Sequence, residues 1–194
     1  MIEDGDLRTK KVRRLLDEIT NEKDLDKIDE IINENINIDN EMISQLRYLP
    51  NGGFKGLLYY KIIVARNNKV NISVDVSNNV SSELKKLSLE ELKIVSNLIG
   101  IYCDNAIEAA KETKRKLILI EIYYQNKDIN IVISNTFNNK ANITNRYQKG
   151  FSTKGEGRGI GLYFAKKMLS KNKWIEDQQE IIDNLYIQKI IIRK

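Results

Sequence analysis

Two segments constrain this chain more than anything else in it: IYCDNAIEA at residues 101–109 and KGFSTKGEGRGIGL at residues 149–162. In the second, Gly155, Gly157, Gly159 and Gly161 leave backbone N–H groups free to approach an anion with no Cβ in the way. The apolar residues Ile160, Leu162, Phe164, Ala165, Met168 and Leu169 predict a helix opening out of those glycines. Its N-terminus would face the same anion. A glycine-rich loop alone is a weak signal. An Asn inside an upstream helix, Asn105, turns the pair into a specific one.

Composition narrows the classes that remain. At 194 residues, 41% hydrophobic and 30% charged, the chain has room for one ordinary domain plus an appendage. No apolar run approaches the roughly 18 residues needed to cross a bilayer, and the N-terminus lacks the apolar segment of a signal peptide. The single Cys103 excludes an internal disulfide and fits a reducing compartment, so a cytoplasmic location is expected. Net charge is +5, which raises nucleic acid as a partner. However, 32 basic residues are dispersed among 27 acidic ones, and no basic run is interleaved with aromatics. Nucleotide phosphates account for a local positive site equally well, and no nucleic-acid partner is expected. Histidine is absent altogether. That removes imidazole metal sites, Ser–His catalysis and any histidyl phosphoacceptor within this chain.

The hydrophobic pattern divides the chain near its only proline, Pro50, which with Asn51, Gly52 and Gly53 marks a hinge. Residues 1–50 form the first unit. Within it, Leu7, Val12, Leu15, Leu16 and Ile19, then Leu25, Ile28, Ile31, Ile32, Ile36, Met42 and Leu46, predict a two-helix hairpin broken at residues 20–24. This hairpin carries more apolar surface than two helices can bury against each other. A second copy completing a four-helix bundle, hence a homodimer, is the simplest partner. Residues 51–194 form the second unit: helix 54–67, strand 70–76, helix 89–114, paired strands 117–124 and 129–134, a polar loop 135–146, the glycine helix, and a closing strand 185–193. Helices and mostly antiparallel strands in this order predict an α+β fold, a two-layer sandwich with helices on one sheet face.

Together these motifs resemble the GHKL ATPase/kinase superfamily, the Bergerat fold, in which a nucleotide lies between a sheet-backed helix layer and a lid. Within it, GIYCDNAIEAA and YQKGFSTKGEGRGIGL look like the catalytic domain of AgrC-like, peptide-sensing sensor histidine kinases. The similarity extends upstream through KGLLYYKIIVARNNKVNISVDV and the hairpin. It implies ATP and Mg²⁺ as cofactors, and a response regulator or partner kinase as protein partner. It also implies a link to the membrane only through a sensor region absent from this chain.

Carried over position by position, Asn105 matches the asparagine that ligates Mg²⁺. A neutral carboxamide oxygen suits a hard cation that keeps waters and bridges phosphates; the bland alternative is an Asn satisfied by backbone. Asp104 either assists through a water or is a surface charge. Asn135 falls where the superfamily has an Asp reading the adenine amino group, although the usual Asp-x-Gly-x-Gly box is absent; Asn138 or a backbone carbonyl are alternatives. Tyr147 and Phe151 match an aromatic pair before the lid. Ser152, Thr153 and Lys154 can donate to phosphates, as can the backbone at Gly155, Gly157, Gly159, Gly161 and Leu162. Arg158 pairs with a phosphate or with a carboxylate elsewhere. Lys61 reads as a snorkelling lysine rather than a phosphate ligand. Cys103 reads as a small core residue rather than a nucleophile.

Two departures from the family pattern bear on activity. Superfamily ATPases place a Glu one turn before the Mg²⁺ asparagine, and that position here is Ile101, which cannot act as a base. Family kinases carry the acceptor His near the start of the hairpin, where this chain has Leu7, Arg8 and Thr9. The expectation is an ATP-dependent protein histidine kinase domain acting on a histidine supplied by another chain. The alternatives are an acceptor-less pseudokinase or adaptor that binds ATP and a partner, and an anti-sigma-type protein kinase.

Overall fold

The computed structural model describes residues 45–50, 52–138 and 160–193. Along them lie α1 (Gly53–Asn67), β1 (Asn71–Val76), α2 (Val80–Leu84), α3 (Leu89–Lys111), β2 (Leu117–Gln125), β3 (Asp128–Thr136), α4 (Ile160–Lys171), β4 (Ile175–Ile182) and β5 (Leu185–Arg193). The strands form one sheet in the order β1-β2-β3-β5-β4. β1 and β2 run parallel, which requires a crossover, and α2 with α3 supply it. The other three pairs are antiparallel. The β2–β3 turn places Asn126 and Lys127 at φ 54° and 68°, the paired left-handed conformation that suits the twist of a two-residue hairpin.

The core follows from strand alternation meeting a helical stripe. In β1, Ile72, Val74 and Val76 point inward while Asn71, Ser73 and Asp75 face solvent. Ile118, Ile120 and Ile122 of β2, and Ile129, Ile131 and Ile133 of β3, continue the same face. The helix stripe opposite is Val95, Leu98, Ile99, Tyr102, Cys103, Ala106, Ile107 and Ala110 of α3, spaced at the three- and four-residue intervals that keep one face inward. α1 adds Leu58, Ile62 and Ala65 to the same core. Each fully buried Ile or Leu contributes about 1.5–3 kcal/mol of burial free energy. α3 begins sharply because Ser88 and Glu91 form a capping box: Glu91 N–H donates to Ser88 Oγ (3.2 Å), and Ser88 N–H donates to the Glu91 carboxylate (2.7 Å).

The two-layer α+β expectation holds, with differences at four places. The polar loop expected from residue 135 starts later, because Asn135 still pairs with β2 and β5 and Thr136 with β5. Central strand position overrides their polar character. The long helix stops at Lys111 rather than residue 114, where Thr113 Oγ1 turns back to accept the Lys116 N–H at 2.9 Å. α2, a single turn and a half, has no sequence signature of its own. β4 was also missed: IEDQQEII carries charged and amide side chains that read as loop, and as an edge strand it needs only one apolar face.

The hairpin expected over residues 6–46 lies outside the described residues except at its end. There, Leu46 and Leu49 are buried within the main core, and Gln45 Oε1 accepts the Val76 N–H at 3.3 Å. Gly52 caps α1 with φ 103°, a conformation that favours glycine. Among the described residues no helix is long and apolar enough to cross a membrane.

Candidate functional site

α3 organises the site by presenting a different neighbour to each of its flanks. Gly100 faces α1, close enough that a Cβ there would lie 3.8 Å from Leu57. Asp104, one turn on, meets Lys61 of α1. On the other flank Ile101 meets Gly161 at the start of α4, where an added Cβ would sit 3.3 Å from Ile101 Cγ2. Asn105 lies one turn after Ile101, so it shares the flank that looks toward α4. A Cβ at position 161 would press on the Ile101 side chain, so glycine lets the two helices meet there without displacing it. Leu162, the next residue, packs partly buried against the core.

The Asn105 carboxamide is exposed, and no described residue hydrogen-bonds it. A neutral oxygen donor that no described residue engages fits a Mg²⁺ that takes most of its ligands from phosphate and water. Among the described residues, no three His, Cys, Asp or Glu side chains gather into a cation cage. The candidate phosphate donors Ser152, Thr153, Lys154, Gly155, Gly157, Arg158 and Gly159, with Tyr147 and Phe151, lie outside the described residues.

Asn135 sits on the helix-covered face of β3, in line with Ile131 and Ile133 and paired with Ile118 and Tyr186. It is buried, and its Nδ2 donates to the Thr136 carbonyl at 2.9 Å. That leaves the carboxamide oxygen as the atom able to accept from a ligand. A threonine clasp fixes this strand end to α3: Thr113 and Thr136 hydroxyls are 2.8 Å apart, and the Leu117 N–H donates to Thr136 Oγ1 at 3.1 Å. Asn138 Nδ2 donates to the Glu112 carbonyl at the C-terminal end of α3, so that amide caps the helix.

A second polar group on the same sheet face was not anticipated. Asp177 Oδ2 of β4 accepts from Tyr102 Oη of α3 (3.1 Å) and from Gln188 Nε2 of β5 (3.1 Å), while Tyr186 Oη donates to Gln188 Oε1 (2.8 Å). The chain of bonds ties the Asn105 helix to the β4–β5 hairpin. The signal for it, Asp177 two residues after buried Ile175, becomes readable only once β4 is recognised as a strand.

Lys61 differs from its expected snorkelling. Its side chain is only 7% exposed, and its ammonium is held 2.6 Å from Asp104 Oδ1 and 5.3 Å from the Tyr60 ring centroid. A desolvated ammonium requires a counter-charge, and the neighbouring helix supplies it. Cys103 is the core residue expected. Burial, with a smaller contribution from Asp104 and against the pull of Lys61, pushes its thiol up to about 12. At pH 8 it is therefore expected to stay unmodified by a thiol reagent in the native protein and to react within minutes after unfolding. Rapid native labelling, followed by mass spectrometry, would contradict this burial.

The fold built by this sheet and its helices recurs in solved histidine kinase structures. The catalytic domain of the histidine kinase ThkA superposes with a TM-score of 0.57 at 15% identity, covering 73% of this chain and 90% of that one. The Acinetobacter baumannii histidine kinase AdeS gives a TM-score of 0.52 at 14% identity, covering 97% of this chain and 96% of that one. Residues 89–193, from α3 to β5, match the GHKL domain, and the chain belongs to that family. In sequence it is 30% identical over 152 residues to the sensor protein CitS of Bacillus subtilis (strain 168). That match covers 76% of this chain and 27% of CitS, so the chain spans about a quarter of that relative.

Proposed function

We propose that this chain binds Mg·ATP between α3, the start of α4 and the sheet, and passes the γ-phosphoryl group to a histidine on another chain. One observation carries the reading: Gly161 seats against Ile101, on the α3 flank that also bears Asn105. The described end of the glycine motif therefore meets the helix that carries Asn105. Asn105 would hold the Mg²⁺, whose chemistry is to neutralise charge on the phosphates. Asn135, its nitrogen engaged by Thr136, would offer its oxygen to the adenine amino group. The backbone of the glycine segment and Ser152, Thr153, Lys154 and Arg158 would surround the phosphates. Catalysis would then consist of positioning and electrostatic stabilisation, with the nucleophile aligned by its own protein.

As parts of the same reading, residues 1–50 would form the dimerising hairpin, and the parent would be a two-component sensor of the peptide-sensing, AgrC-like type. Its partner would be a response regulator, and this portion would lie in the cytoplasm. A second reading, a nucleotide-dependent adaptor without catalysis, is favoured by one fact: the chain contains no histidine. Calorimetric titration of a non-hydrolysable ATP analogue, with and without Mg²⁺, tests the shared core of both. Saturable binding that tightens with Mg²⁺ is expected; no heat at millimolar nucleotide would rule out both readings.

A further inference from the structure

We infer that Lys61 is a positioning residue for the phosphate end of this site, acting through Asp104 rather than on the nucleotide itself. The inference rests on the Mg·ATP reading above and gives it an electrostatic requirement. Asp104 immediately precedes Asn105 on α3, and its side chain is 59% exposed, so its field reaches whatever binds beside Asn105. A bare carboxylate there would repel a polyanion. It lies in mid-helix, away from the positive N-terminal end that could offset it. Lys61 supplies the missing charge from α1 at 2.6 Å.

The geometry also excludes a direct ligand role for Lys61. Its side chain is buried, its ammonium is already committed to Asp104, and it stands on the α1 flank of α3, whereas Asn105 stands on the α4 flank. The pair does two things at once. It cancels the charge of Asp104, and it draws that carboxylate toward α1, away from the position of a competing ligand for the Asn105 cation. Lys61 is thus the reason an acidic residue is tolerated next to a metal-binding asparagine in a phosphate site.

The test compares the full chain with Lys61→Met, Lys61→Arg, Asp104→Asn and the Lys61→Met/Asp104→Asn double variant. Each is titrated with Mg²⁺ and a non-hydrolysable ATP analogue, and separately with adenosine, which lacks phosphates. Lys61→Met is expected to weaken analogue binding about tenfold, the size of one partly screened unit charge, with the deficit shrinking as salt is raised. Adenosine binding should change by no more than about twofold. Lys61→Arg and the double variant should stay within about threefold of the wild type, and Asp104→Asn alone should bind the analogue no more weakly. Three results would overturn the role: unchanged analogue affinity in Lys61→Met, an equal loss for adenosine, or a double variant as weak as Lys61→Met. The first and third are read against wild-type binding that is itself intact. A wild type that binds no analogue would instead remove the nucleotide reading, and this role with it.

Discussion

Replacing Asn105 with Ala is expected to abolish most of the Mg²⁺-dependent part of ATP-analogue affinity, a loss of at least about tenfold, or about 1.4 kcal/mol. The size follows from the donor set. On the Mg·ATP reading, a single carboxamide oxygen from Asn105 would carry the protein's share of coordination. Damage to the fold cannot mimic the result. Asn105 is exposed, hydrogen-bonds no described side chain or backbone group through its carboxamide, and occupies a helix interior where Ala is the better helix former. Melting temperature should therefore hold or rise slightly. With Mg²⁺ chelated, wild type and variant should bind the analogue with similar affinity. If Asn105→Ala binds as tightly as wild type in Mg²⁺, Asn105 is a helix-surface amide and the metal lies elsewhere.

Phosphoryl transfer should be all-or-none with respect to an added histidine. The chain alone, incubated with radiolabelled ATP, is expected to gain no acid-labile label, since it contains no histidine to receive it. Water is a poor substitute. A positioned general base contributes about 10²–10⁴-fold, and the position that the family resemblance would assign to it holds Ile101, an alkyl side chain beside Gly161. Placing His at Leu7, Arg8 or Thr9, one at a time, or supplying the acceptor hairpin of a related kinase, should produce acid-labile label. On the kinase reading, transfer would then need only an aligned nucleophile. Tight analogue binding with no label in any combination would establish the adaptor reading, with nucleotide as a conformational ligand.

Much of the domain is legible in its sequence. The alternation of β1, the stripe of α3 and the Gln125–Asp128 turn between β2 and β3 are local signals, set by side-chain periods of two and 3.6. β4 was not readable, because a half-exposed edge strand with Glu, Asp and Gln side chains has the composition of a loop. By its polarity Asn135 reads as the first residue of the loop 135–146, although the chain keeps it in the ladder. The site divides in the same way. Asn105 and the glycines were singled out by residue type and spacing, whereas Lys61, buried on an apolar stripe, offered no sign of its partner 43 residues away.

The sequence by itself determined the element types over most of the described residues and the absence of any histidine to accept a phosphoryl group, and it singled out the residues proposed for phosphate and metal. Each of these depends on local periodicity or on the chemistry of single side chains. Only the tertiary structure decided that Ile101 is a packing partner for Gly161, that Asp104 is neutralised from α1, and that Asp177 joins α3 to the last hairpin. Those facts concern which flanks of α3 meet which neighbours. Helix periodicity states that two residues share a face, but it does not say what stands opposite them; that is set by how α1, α4 and β4 pack around one helix.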